Sequence, residues 1–215
     1  AEYKVESYDF GEEITILGSI TKEGHTFSGW NPASLPETMP AYDIEVVGSF
    51  TINQYKITYK VDGEVEGEVE SYDFGEAITL RTNPTKEGHT FSGWNPASLP
   101  ATMPANDIEV VGSFTINQYT ITFDSDGGSE VASITKDYGA AVTKPSDPEK
   151  TGHSFVDWYS DAELKDVYTF TTMPAANITV YAKWAVNEYS VIYKVDGAEY
   201  KVESYDFGEE ITILG

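Results

Sequence analysis

Cysteine is absent from all 215 residues, so the chain has neither a disulfide framework nor a thiolate for catalysis or metal binding. Basic residues are scarce, with 13 Lys and Arg against 36 Asp and Glu and a formal net charge of −23. A surface of that sign repels phosphate backbones, which argues against nucleic acid as a partner. No apolar run approaches the roughly 20 residues that cross a bilayer, so no membrane insertion is expected in this segment. No signal-peptide pattern occurs either, and an export signal or anchor is expected outside these residues. What the chain does have is 15 Tyr, 18 Gly and 10 Pro among many Thr, Val and Ile, the composition of strands broken by turns.

The chain repeats itself. Residues 21–55 and 85–119 differ only at positions 37/101 and 42/106, which sets a 64-residue period. A third, diverged copy follows. Gly88-His89-Thr90-Phe91 matches Gly152-His153-Ser154-Phe155, Trp94 matches Trp158, and Thr102-Met103-Pro104-Ala105 matches Thr172-Met173-Pro174-Ala175 after six extra residues. With Tyr55, Tyr119 and Tyr189 as module starts, 55–118 and 119–188 are whole modules. Residues 1–54 lack the first strand, and 189–215 hold the first half of a further module. The first eighteen residues recur letter for letter at 198–215, an offset of 197 residues. That offset is expected for a segment of a longer array with a three-module super-repeat.

Within a module, Tyr55, Ile57, Tyr59 and Val61 alternate with polar residues, the period of a half-buried strand. Asp62-Gly63 is a hairpin turn signal. Glu64, Glu66, Glu68 and Glu70 then alternate with Val65, Gly67 and Val69, predicting a second strand with lysines opposite glutamates. A short strand is predicted around His89–Trp94. Two more follow the alternations Ile108, Val110, Gly112, Phe114 and Ile178, Val180, Ala182, Trp184. Only residues 160–167 read as helical, with Ser160 or Asp161 as cap. The shorter modules carry Asn-Pro and Leu-Pro there, predicting loops. The links Thr51–Gln54, Thr115–Gln118 and Ala185–Glu188 are short and lack Gly/Ser runs, so they are poor flexible tethers.

The run Thr85-Lys86-Glu87-Gly88-His89-Thr90-Phe91-Ser92-Gly93-Trp94, followed by Met103-Pro104-Ala105-Asn106-Asp107-Ile108, resembles the Listeria–Bacteroides repeat, the internalin B-repeat family of bacterial surface proteins. Residues 119–188 resemble it most, adding Tyr119-Thr120-Ile121-Thr122-Phe123-Asp124, Asp137-Tyr138-Gly139 and Tyr181-Ala182-Lys183-Trp184. The resemblance covers essentially the whole chain. It implies a small β-grasp-like module used in tandem in extracellular stalks and adhesins on the bacterial cell surface, with no enzymatic activity to carry over. The two near-identical modules depart from the pattern. They lack the helix-like segment and have Phe50 or Phe114 where Trp184 stands, which bears on the crossing helix of the grasp there and not on its sheet.

Candidate chemistry is thin. His25, His89 and His153, the only histidines, occupy one equivalent position. His25 with Ser28 and a nearby carboxylate suggests a nucleophilic triad, but the counterpart of Ser28 and Ser92 is Val156, so the histidines read as structural or surface residues. Asp124-Ser125-Asp126-Gly127-Gly128 has the look of a calcium loop. Lys60 replaces its first aspartate in the preceding module, and Thr135 stands where a terminal bidentate Glu belongs, so a turn is the better reading. The tryptophans suggest a sugar platform or a core. A module this small needs its large apolar groups inside. The core candidates are therefore Trp30, Trp94, Trp158 and Trp184, Phe27, Phe91 and Phe155, and Met39, Met103 and Met173. No catalytic, cofactor-binding or metal-binding residue is assigned.

Acidic residues exceed basic ones by seven in 1–54, six in 55–118, six in 119–188 and four in 189–215, so no module owns the charge. The expected protein is mainly β, α+β at most, a tandem array of small β-grasp-like modules forming an elongated rod. Its expected role is a stalk or spacer in a repetitive cell-surface, adhesin-like protein. The alternative is a module that itself binds a host glycan or protein. Expected partners are neighbouring modules. Head-to-tail contact with another copy is also expected, because residues 189–215 carry the strand that residues 1–54 lack.

Overall fold

The computed structural model describes residues 4–212 and contains strands and turns, with no helix among the described residues. The first eight strands are β1 (His25–Asn31), β2 (Val47–Ile52), β3 (Gln54–Val61), β4 (Glu64–Val65), β5 (Glu70–Asp73), β6 (His89–Phe91), β7 (Ile108–Gly112) and β8 (Phe114–Ile116). The rest are β9 (Gln118–Asp124), β10 (Ile134–Asp137), β11 (His153–Tyr159), β12 (Ile178–Val186), β13 (Glu188–Val195) and β14 (Ala198–Asp206). The chain divides into two compact units, Ala1–Pro84 with Phe91–Phe114 and Thr85–Thr90 with Thr115–Gly215.

In the first unit β3 is central. It runs antiparallel to β4 and β5 on one side and parallel to β7 on the other, from Ile57 opposite Ile108 to Val61 opposite Gly112. The alternation read in the sequence places Ile57, Tyr59 and Val61 on the buried face. A parallel pair needs a long crossover. The chain between β5 and β7 supplies it and brings Ile78, Trp94 and Met103 onto the core beside Val110. Asp62 and Gly63 both have positive φ, 53° and 90°, as a two-residue hairpin turn of matching twist requires.

Beyond that turn the structure departs from the expected continuous strand. Pairing stops after Val65 and resumes at Glu70, and Lys60 lies opposite Val65 while Lys56 lies opposite Ser71. Glu66 N still donates to Tyr59 O at 2.8 Å, and from there to Val69 the chain bulges out around Arg81, whose guanidinium donates to Glu66 O, Glu68 O and Glu70 Oε1 and covers the Tyr59 ring at 4.3 Å. Gly67, in the left-handed region at φ 73°, makes this detour possible. Lys60 instead finds Glu109 on β7, at 2.7 Å.

In the second unit β10-β9-β12-β11 form a four-stranded sheet with β9 and β12 parallel at its centre and antiparallel neighbours outside. Its core repeats the first one position by position. Ile121, Phe123, Val142, Trp158, Met173 and Val180 stand where Ile57, Tyr59, Ile78, Trp94, Met103 and Val110 stand in the other. The helix expected over 160–167 does not form. Asp161 closes a single turn instead, its carbonyl accepting Leu164 N and its carboxylate accepting Lys165 N and Asp166 N. Leu164 sits at φ 55°, which ends any helical continuation, and Ser160 N bonds Asp166 O to return the chain.

Residues 4–54 keep part of this plan. β1 and β2 pair antiparallel, and the turn after Tyr8 makes the same bonds to Met39 that the turn after Tyr72 makes to Met103. No strand stands beside Val46 among the described residues. Trp30 and Met39 are only half-buried, whereas Trp94 is 6% exposed, Trp158 0%, and Met103 and Met173 1% each. At the other end β13 and β14 form a hairpin with Tyr189, Ile192 and Val195 exposed. Replacing Trp94 with Ala should destabilise its module by about 3–5 kcal/mol, the usual scale for a large buried aromatic. Trp30→Ala should cost less than half as much; equal losses by denaturant titration would contradict the difference in packing.

Candidate functional site: the joints between repeats

In the structure His25 and Ser28 take separate hydrogen-bond partners. His25 Nδ1 lies 2.8 Å from Glu23 O, while the Ser28 hydroxyl donates to Gly29 O and accepts from Ser49 N and Ser49 Oγ. The proton of that hydroxyl is directed at a backbone carbonyl and not at an imidazole. In the Asp124 loop, Asp124 Oδ1 accepts Asp126 N, and Asp126 is held by Lys150, whose Nζ also reaches Asp126 O. Those bonds close a turn with a cation already in it. Among the described residues no group of three acidic or histidine side chains is placed to hold a metal.

The aromatic candidates divide by depth. Trp94, Trp158, Met103 and Met173 are buried, and Phe91, Phe155 and Trp184 pack half-buried against the two cores. Phe27 stands edge-on to Trp30 at 4.9 Å, as Phe91 does to Trp94. Trp184 donates its indole N–H to Ser125 O. Lys144 is paired with Asp157 at 2.9 Å, a hydrogen bond that lowers the Asp157 pKa and raises that of Lys144. Both partners are well solvated, so the pair adds little stability.

What recurs outside the cores is a contact that the sequence reading missed, made three times with nearly one geometry. Gly24, Gly88 and Gly152 have φ of 67°, 67° and 69°, and over each lies an aromatic ring from the next repeat: Phe74, Tyr138 and Phe207. A methyl group at any of these glycines would overlap the ring carbons. The adjoining histidine meets the ring edge-on, with centroids 6.0 Å apart for His25–Phe74, 6.1 Å for His89–Tyr138 and 6.0 Å for His153–Phe207. All three histidines are thus in one role, walls of a socket for the next ring.

The link residue closes the contact. Asn53, Asn117 and Asn187 each donate N–H to the socket glycine carbonyl at 2.9 Å. Their carbonyls accept the N–H of Phe74, Tyr138 and Phe207 at 2.9, 2.8 and 2.9 Å. Their side-chain oxygens accept the hydroxyls of Thr26, Thr90 and Ser154 at 2.6, 2.7 and 2.6 Å. Each link is pinned through backbone and side chain together. Gln54 and Gln118 add a bond to Asp73 and Asp137. The charge of Glu87 raises the Tyr138 pKa, with burial and a hydrogen bond adding to it, so the phenol stays neutral at ordinary pH.

The signal for this joint was present. Gly-His, the link Asn and an Asp-aromatic-Gly turn persist even in the diverged repeat. Their meeting pairs residues about fifty positions apart, which no local pattern displays.

The Listeria-Bacteroides repeat domain matches residues 2–52, 55–116 and 119–183. The chain belongs to this family. Among curated relatives, a protein of Evansella cellulosilytica named as a candidate membrane protein is 32% identical, aligned over 90% of this chain and 32% of its own length. A Gly-rich protein of the same organism, also named as a candidate membrane protein, is 33% identical over 88% of this chain and 24% of its own length. Internalin H of Listeria monocytogenes is 41% identical over 53% of this chain and 22% of its own length. The chain spans a third or less of each of these relatives.

In these Listeria–Bacteroides repeats the joint has a direct test. Gly88→Ala should cost more than the roughly 1–2 kcal/mol of left-handed backbone strain, because the new methyl also meets the Tyr138 ring. In the double variant with Tyr138→Ala the overlap is gone, so the two losses should fall short of additive by about 1 kcal/mol or more. Strict additivity in denaturant titrations would show that ring and glycine do not interact.

Proposed function

We propose that the chain is a spacer segment of a bacterial cell-surface protein, its repeats holding a functional region away from the cell without catalysing a reaction. The observation that carries this reading is the pinned link. A tether meant to flex leaves its backbone to water, whereas Asn53, Asn117 and Asn187 each bond the socket glycine, the incoming aromatic residue and a hydroxyl. Evenly spread negative charge fits the same role, since it keeps copies apart and in solution. The relatives support a surface location, being an internalin and proteins named for the membrane, all much longer than this chain.

Mucins, glycan arrays and host cells should show no saturable binding to residues 1–215. Tight saturable binding that vanishes when one exposed patch is altered would replace the spacer with an adhesive repeat. The open groove along Gly127 to Ser129 and Pro148 to His153 is the first patch to alter.

A further inference from the structure

The turn Tyr8-Asp9-Phe10-Gly11 is built like the three turns whose rings fill sockets. Asp9 N bonds Glu12 Oε2 at 2.8 Å, as Asp73 N bonds Glu76 and Asp206 N bonds Glu209. Gly11 N reaches Met39 O at 2.9 Å, as Gly75 reaches Met103 and Gly139 reaches Met173. Gly11 has φ 80°, matching 81°, 74° and 85° at Gly75, Gly139 and Gly208. The turn is therefore in its docked shape, yet Phe10 is 79% exposed and its ring lies over none of the described glycines.

Residues 198–208 repeat residues 1–11 letter for letter, and in that copy the ring is seated. Phe207 lies over Gly152, edge-on to His153, with its N–H on Asn187 O. One turn sequence thus appears both with and without its partner. We infer that Phe10 is a docking residue for another repeat of this family, one presenting a glycine in the left-handed region, a following His-Thr or His-Ser, and a link Asn. The match is specific in three ways. The glycine admits the ring face, the histidine closes its edge, and the Asn carbonyl takes the Phe10 N–H. An apolar ring on a pre-shaped turn docks without the entropic cost of ordering a loop. The inference does not depend on the spacer reading, because a binding module needs the same joint to its neighbour.

The test places a second copy of residues 119–197 ahead of residue 1, restoring the 197-residue period, and follows amide hydrogen exchange of Phe10. In residues 1–215 alone Phe10 should exchange fast, at least tenfold faster than Phe74. In the lengthened chain it should slow to the level of Phe74, and Gly152→Val in the added copy should return it to the fast rate while Phe74 stays protected. Fast exchange in the lengthened chain, or slow exchange that survives the Gly152→Val change, overturns the proposal. Protection that instead rises with the concentration of residues 1–215 alone and survives Gly152→Val also overturns it, assigning Phe10 to a different surface of a second copy.

Discussion

Everything in a complete repeat rests on its central pair of parallel strands, β3 with β7 or β9 with β12. The sheet is small and no helix covers it, so the crossover between the two strands must bury the apolar face with its own side chains. It does so with one Ile or Val, one Trp and one Met: Ile78, Trp94 and Met103 in one repeat, Val142, Trp158 and Met173 in the other. Burial of this size is marginal for a module of about 64 residues, and each large group counts. Residues 4–54 show the dependence from the other side. They have the tryptophan, the methionine and the Gly11–Met39 bond, but among the described residues no strand lies beside Val46, and Trp30 and Met39 remain half-buried.

The joints solve a different problem. A repeat that ends in an open strand edge and begins with a short link would hinge at the link. Seating a ring of the next repeat over a glycine of the previous one turns the link into part of the fold. The histidine side wall gives the three histidines, which share one position, a common structural role. The glycine is the demanding residue, because it must accept both a positive φ and a ring where a Cβ would go. Hydrogen bonds through Asn then set the register, so the same joint is remade wherever the same few residues return.

Repetition also explains where local reading succeeded and failed. Alternation identified β3, β7 and β12, since a strand buried on one face must alternate. It misjudged Glu66 to Val69, where one inserted Gly67 and the distant Arg81 draw the strand off its partner. It misread residues 160–167, where polar residues of fair helical propensity are captured by the Asp161 carboxylate into a turn too short to nucleate a helix.

The sequence alone determined the repeat length, the strand faces, the family resemblance and the residues able to fill a core, because periodicity and side-chain size are written locally. Which large groups are buried and which are left half-covered was decided by tertiary structure, since it depends on whether a strand from far along the chain lies beside them. The joints were decided there too. Gly88, Asn117 and Tyr138 are unremarkable until the fold brings three distant segments together, and only then does a missing Cβ become a seat for a ring.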